Sequence, residues 1–205
     1  MIIHHPSQIV GFHSCDREIG LQIINGNDNL KSSDNPWDWL GPGIYFWEFN
    51  PYRALQYAIE CAKQQQKFAG SIRTPFIIGA VIEMGNCLNL SESESIGIVE
   101  SAYQDLRQLT KAAGIRMPLN KDANRRLDCA VIKSMHVSNK WRNLQPYDTI
   151  RCPFLEGKPI YPGANFTERL HTEVCVRNPE SITCYFLPYP LEKFNPYLKK
   201  PFSPS

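Results

Sequence analysis

The sequence contains no long apolar run. Nothing in it approaches the roughly 18 residues needed to cross a bilayer, so no membrane partner is expected. Its first residues, Met1-Ile2-Ile3-His4-His5-Pro6, lack the basic start and apolar stretch of a secretory leader, which makes the cytoplasm the expected compartment. Charge of one sign is also missing. Lys and Arg total 22 against 20 Asp and Glu, and a net charge of +2 supplies no strong field to gather nucleic acid or an anionic surface. The 7 cysteines never fall as Cys-x-x-Cys, and an odd number at wide spacing argues against a disulfide framework and a structural zinc site. Most are expected to be small buried apolar side chains. No Gly-x-Gly-x-x-Gly follows the first strand, and strands do not alternate regularly with helices, which argues against a doubly wound dinucleotide fold. There is no internal repeat and no low-complexity block.

With 205 residues, 42% hydrophobic and 20% charged, the chain reads as one domain spanning residues 1–205, long enough to bury a core. Its 16 prolines gather in connecting segments and in a tail from about Pro188, expected to wrap the surface or fray. Strands are predicted at Gln8 to Ser14, Ile44 to Trp47, Phe76 to Met84, Asp148 to Phe154, Thr172 to Arg177 and Ser181 to Phe186, the last two joined at Asn178-Pro179. Helices are predicted from Asp16 to Ile24 and from Tyr52 to Lys67, the second with Tyr52, Leu55, Ile59 and Ala62 on one face. A capping box at Ser91-x-x-Glu94 predicts a third, striped by Ile96, Val99, Tyr103, Leu106 and Leu109 and ending at Gly114. Leu127 to Ile132 fits either a buried strand or the end of a helix. The class that follows is α+β, with packed antiparallel strands and helices concentrated in the first half.

Three segments carry chemistry. Gly11-Phe12-His13-Ser14 puts a histidine near the end of the first strand. In Gly41-Pro42-Gly43-Ile44-Tyr45-Phe46-Trp47, two glycines let the backbone turn tightly before an aromatic strand. In His171-Thr172-Glu173-Val174-Cys175-Val176-Arg177 a carboxylate opens an apolar strand. Side chains alternate along a strand, so if Val174 and Val176 face the core, then Glu173, Cys175 and Arg177 share the other face.

Together these segments resemble the His-Tyr-Glu clade of ADP-ribosyltransferases, which includes diphtheria toxin and the poly(ADP-ribose) polymerases. The resemblance runs from His13 to Arg177 in the family's order. Gly-Pro-Gly-Ile-Tyr-Phe matches the family's second motif, with a helix and a further tyrosine, Tyr57, behind it, and Glu173-Val174-Cys175-Val176 matches the third. The first motif departs: the family's His-Gly-Thr/Ser is here His13-Ser14-Cys15, so a side chain stands where glycine normally offers its backbone to nicotinamide.

The resemblance implies a split antiparallel β-sandwich with helices packed on it, and NAD as a substrate in a cleft formed by His13, Ser14, Cys15, Gly43, Tyr45 and Tyr57. It implies that His13 hydrogen-bonds a ribose hydroxyl of the adenosine half, that Tyr45 stacks on nicotinamide with Tyr57 as a second face, and that Glu173 bonds the 2′-hydroxyl of the nicotinamide ribose. No metal is required. The activity implied is single transfer of ADP-ribose to a macromolecular acceptor, protein or nucleic acid, as in a bacterial toxin or phage-defence effector with a partner antitoxin. A non-catalytic NAD or ADP-ribose binding module is the first alternative. An NAD-dependent RNA 2′-phosphotransferase is the second, and Glu173 counts against it. Trp37 and Trp39 are expected to anchor the loop before Tyr45, His171 and Arg177 to hydrogen-bond near Glu173, residues 155–163 to face the acceptor, and Arg125-Arg126 to be solvated.

Overall fold

A computed structural model of the protein describes residues 7–64, 72–121 and 124–203. In chain order, β1 (Gln8–Asp16) leads into α1 (Arg17–Ile24), and β2 (Ile44–Glu48) leads into α2 (Pro51–Lys63). Next come β3 (Pro75–Glu83), β4 (Cys87–Asn89) and α3 (Ser93–Ala112), then a small hairpin of β5 (Asn120–Lys121) and β6 (Asn124–Arg125) that opens α4 (Arg126–Trp141). The chain finishes with β7 (Thr149–Phe154), β8 (His171–Val176), a 3-10 turn at Pro179–Ser181, β9 (Ile182–Phe186) and α5 (Leu191–Phe194).

Among the described residues, seven strands form one sheet in the order β4-β7-β8-β2-β1-β3-β9, antiparallel except for the β4–β7 pair. The α+β class therefore holds, but the expected pair of sheets is a single hydrogen-bonded ladder that curls. Four strand spacings of about 4.8 Å would set β8 and β9 roughly 19 Å apart in a flat sheet. The link between them, residues 177–181 with its 3-10 turn, reaches only about 16 Å. Curling closes the gap. It brings Ile44, Phe46, Val174 and Val176 of β2 and β8 into one apolar cluster with Ile9, Ala80 and Ile82, against which Ile182 and Tyr185 of β9 pack.

The ladder is uneven where it matters. β1 pairs with β3 along its whole length, from Gln8 opposite Glu83 to Asp16 opposite Pro75. Against β2 it pairs only at Gly11–Glu48 and Phe12–Trp47. Past Phe12 the two strands part.

Local chemistry explains the helix boundaries and corrects three expectations. Asp16 caps α1 by accepting from Glu18 N–H, and its other oxygen accepts from the N–H groups of Arg73 and Thr74. Asn50 caps α2, whose expected end at Lys67 lies outside the described residues. The buried face of α2 is Arg53, Ala54, Ala58 and Ala62; of the expected stripe Ala62 is buried, Leu55 and Ile59 are half-buried and Tyr52 is exposed, because small side chains let the helix lie close on β1 and β3 while Tyr52 packs at its edge on Phe194. The Ser91 capping box does not form. Instead Asn89 accepts from Ser91 N–H and donates to Glu92, so the helix begins at Ser93, and Ile96 and Leu109 are exposed. Leu127 to Ile132 belongs to α4, whose first N–H groups are capped by Asn120 from the hairpin.

The proline-rich tail is not frayed where it meets β3. Asn195 is buried and bonds both backbone groups of Ile77, covering the stretch of β3 that β9 does not reach. Among the described residues no helix is long and apolar enough to cross a membrane.

Candidate active site

The parting of β1 and β2 creates a seam edged with backbone polar groups. Continuing their register would set His13 opposite Phe46 and Ser14 opposite Tyr45. Instead the His13 ring fills the gap, with Nδ1 2.8 Å from the Tyr45 carbonyl oxygen. A carbonyl only accepts, so Nδ1 carries the proton and a neutral ring leaves Nε2 as an acceptor. Burial lowers the His13 pKa, outweighing the bond to Tyr45, and keeps the ring neutral at pH 7.

Ser14 contributes its backbone. Asn195 takes both the N–H and the C=O of Ile77 on the side of β3 away from β1. Ile77 faces Ser14 in the ladder, and in an antiparallel pair of this kind both partners point their backbone groups outward. The Ser14 N–H and C=O therefore turn toward the seam, where among the described residues no strand pairs with them. The Ser14 hydroxyl is occupied elsewhere, donating to the Ala54 carbonyl of α2 at 2.5 Å. The Cys15 side chain packs in the core beside Phe76, and burial first, then Asp16, pushes its thiol up to about 12.

On β2, Tyr45 is held at both ends. Its hydroxyl donates to the Gly41 carbonyl at 2.6 Å and accepts from Leu40 N–H at 3.0 Å, clipping the Gly-Pro-Gly turn to the sheet. Gly43 is required by close packing against β8. A Cβ there would lie 2.3 Å from Cys175 Sγ and 2.8 Å from the Val176 carbonyl oxygen. Gly41 supplies the left-handed turn at φ 74°.

Strand β8 places Glu173 beside Tyr45. Tyr45 pairs with Cys175 and Trp47 with Glu173, so Tyr45 and Glu173 are diagonal neighbours on one face. The expected alternation holds: Val174 and Val176 enter the core cluster of the opposite face. The Glu173 carboxylate raises the pKa of both the Tyr45 and Tyr57 hydroxyls, for which burial is the larger cause. Tyr57, on α2, is 41% exposed and tilts against Trp47 with ring centres 5.1 Å apart. Strand order therefore carries Glu173, Tyr45 and His13 on neighbours β8, β2 and β1. His13 reaches the seam from the opposite face, its ring tilted against Phe46, while Tyr45 and Glu173 share the face packed by α2 and α4, Tyr45 against the α4 cluster.

His171 and Arg53 complete the surroundings. The His171 side chain is 3% exposed, with Nε2 3.1 Å from Glu173 Oε1 and Nδ1 2.6 Å from the Arg169 carbonyl oxygen. Burial opposes its protonation, but the bonds to Glu173 and Arg169 prevail and its pKa is raised. Arg53, 6% exposed, pairs with Glu156 at 2.9 Å and Glu60 at 3.5 Å, and Arg169 bonds the same two carboxylates at 3.3 and 3.2 Å. The Arg53 guanidinium lies 5.9 Å from the Trp47 ring centre and 5.7 Å from that of Tyr57. This network pins the start of the loop over residues 155–170 to α2, leaving Leu155, Tyr161 and Phe166 exposed.

Spacing alone hid part of this. His171 is two residues before Glu173 on the same strand face, which was a usable signal; nothing in the sequence joins Arg53 to Glu156. Arg177 turns away from Glu173, its Nη1 donating to the Pro42 carbonyl at 3.2 Å. Trp39 packs edge-on against Phe154, and Arg125 stacks on Trp39 at 5.1 Å and pairs with Asp128, so Arg126 is solvated and Arg125 partly so. A cavity of about 760 Å³ lies elsewhere, between α3 and α4, and none of His13, Tyr45 or Glu173 lines it. No protein-family model matches the chain, and no curated protein or solved structure matches it either.

Proposed function

We propose that this protein is an NAD-dependent mono-ADP-ribosyltransferase acting on a macromolecule, with the β1–β2 seam as its nicotinamide site. One observation carries the reading. Adjacent strands carry a neutral histidine, a clipped tyrosine and a carboxylate, beside a seam where, among the described residues, the backbone groups of Ser14 have no strand partner.

A carboxamide needs one donor and one acceptor, and the Ser14 N–H and C=O offer both. The residue that departs from the family's glycine thus keeps its role, since its hydroxyl is directed to Ala54 and its backbone to the seam. His13 Nε2 accepts from a ribose hydroxyl. Tyr45 and Tyr57 flank the flat nicotinamide ring. Glu173 accepts from the 2′-hydroxyl of the adjoining ribose.

The bond between nicotinamide nitrogen and ribose C1′ breaks, and nicotinamide leaves with the electron pair as a neutral molecule. Positive charge develops on the ribose, as in glycoside hydrolysis. A carboxylate fixed beside that ribose stabilises the developing charge more than the ground state, which is what lowers a barrier. An acceptor nucleophile then bonds C1′ and releases its proton to solvent.

Incubation with labelled NAD and a cell lysate tests the reading. Label should move to a macromolecule with stoichiometric release of nicotinamide, and Glu173→Gln should slow this by about 10²–10³-fold, as loss of one preorganised electrostatic contact does. Undiminished transfer by Glu173→Gln excludes the mechanism.

A further inference from the structure

The protons around His171 do not balance unless its ring is charged. Nδ1 faces a backbone carbonyl at 2.6 Å and Nε2 faces a carboxylate oxygen at 3.1 Å, and neither partner has a proton to give. A neutral imidazole has one N–H and can serve only one of them. At 3% exposure the side chain has almost no access to water that could make up the difference. We propose that His171 is a positioning residue for Glu173, fixing the carboxylate to the Arg169 backbone through a doubly protonated ring and loosening that hold when the ring loses a proton. The proposal rests on the transferase reading for its effect on catalysis, but not for the pairing itself.

The carboxylate is the stronger acceptor and decides which nitrogen is deprotonated. Glu173 retains the proton on Nε2, so a neutral ring turns the Nδ1 lone pair toward the Arg169 carbonyl. Two lone pairs then face each other in a poorly hydrated site, and the ring loses the backbone tether that fixes where it holds the carboxylate. The alkaline limb of activity is therefore set by a histidine that does not touch substrate.

The groups facing the pair come from every neighbouring element. Arg53 and Tyr57 approach from α2, Tyr45 from β2, Cys152 and the Phe154 ring from β7, Glu156 and Arg169 from the loop, and Cys175 from β8. Arg53 opposes the imidazolium, whereas Glu173 and Glu156 favour it. Burial and Glu173 push the Cys152 thiol up to about 11, which keeps its titration clear of the histidine.

The test is an NMR titration of the full chain with ring-labelled histidine, assigned with His171→Gln, beside the pH profile of nicotinamide release. The His171 signal should titrate above ordinary imidazole, and Glu173→Gln should lower its midpoint by about one unit. In the wild type kcat should fall at that midpoint with KM for NAD nearly constant. His171→Gln, which keeps a donor to Glu173, should lose that limb, while His171→Phe should lose about 10²-fold in kcat, the scale of a misplaced catalytic group. A midpoint at or below ordinary imidazole, one unmoved in Glu173→Gln, or an alkaline limb that survives in His171→Gln overturns the proposal. The expected titration without nicotinamide release at any pH upholds the pairing and overturns the transferase reading instead.

Discussion

The His13 imidazole donates to the Tyr45 carbonyl at 2.8 Å, standing in for the strand pairing that β1 and β2 abandon after Phe12. One side chain therefore props the seam, and in the proposed reading its remaining nitrogen meets a ribose hydroxyl. His13→Phe keeps an aromatic ring but leaves the Tyr45 carbonyl without its donor. It should cost about 1–3 kcal/mol of stability for the unmet acceptor. Affinity for NAD should fall together with stability. Urea unfolding and calorimetry with NAD measure the two, and unchanged affinity would remove His13 from the site.

Acid should destabilise the protein through buried neutral rings. Burial lowers the pKa of His13, and burial followed by Arg177 lowers that of His136 to about 4. Unfolded histidine titrates near 6.5. As pH falls below that value the unfolded chain takes up protons that the folded rings refuse, so stability drops, and for His136 the loss continues to about 4. His171 has the opposite sign. Its raised pKa adds stability that is fully present below the unfolded value and disappears as pH rises through the folded one. Thermal unfolding across pH should show decline at both ends, with the acid slope shallower in His136→Phe.

Tyr45→Phe separates the ring from its hydroxyl. The ring stays for stacking, while Leu40 N–H and the Gly41 carbonyl lose their partner. Expected is a loss of about 1–2 kcal/mol in urea unfolding and a rise in KM larger than the fall in kcat, because the turn loosens. A kcat loss as large as that of Glu173→Gln would place the hydroxyl in the chemistry.

Gly43→Ala tests the close approach of β2 to β8. The added methyl meets Cys175 Sγ and the Val176 carbonyl oxygen, and overpacking of this kind costs about 1–3 kcal/mol. Adding Cys175→Ala should recover only part of that, because the backbone oxygen cannot be removed. Full recovery would mean that the thiol alone sets the requirement.

Asn195→Leu tests the tail. Replacing the amide leaves the N–H and C=O of Ile77 without partners, at about 2 kcal/mol or more. The same change should disturb the Ser14 region, since Ile77 faces Ser14 in the β1–β3 ladder. Hydrogen exchange at Ile77 and Ser14 should accelerate together; acceleration at Ile77 alone would uncouple the tail from the seam.

Much of this molecule is legible locally. Alternation alone places Val174 and Val176 in the core and Glu173 on the other face, and the glycines of Gly41-Pro42-Gly43 announce a sharp turn before Tyr45, because these are properties of a few neighbouring residues. Local pattern failed where a neighbour in space made the decision. The Ser91 box lost to Asn89, the α2 face was chosen by how closely the helix must lie on β1 and β3, and the tail was ordered by backbone groups on β3. The His171–Glu173 pair lies two residues apart on one strand, whereas the seam and the Arg53–Glu156 network belong entirely to tertiary structure. Each depends on which strands and loops lie side by side, and sheet order joins residues more than a hundred positions apart whose sequence neighbourhoods carry no record of one another.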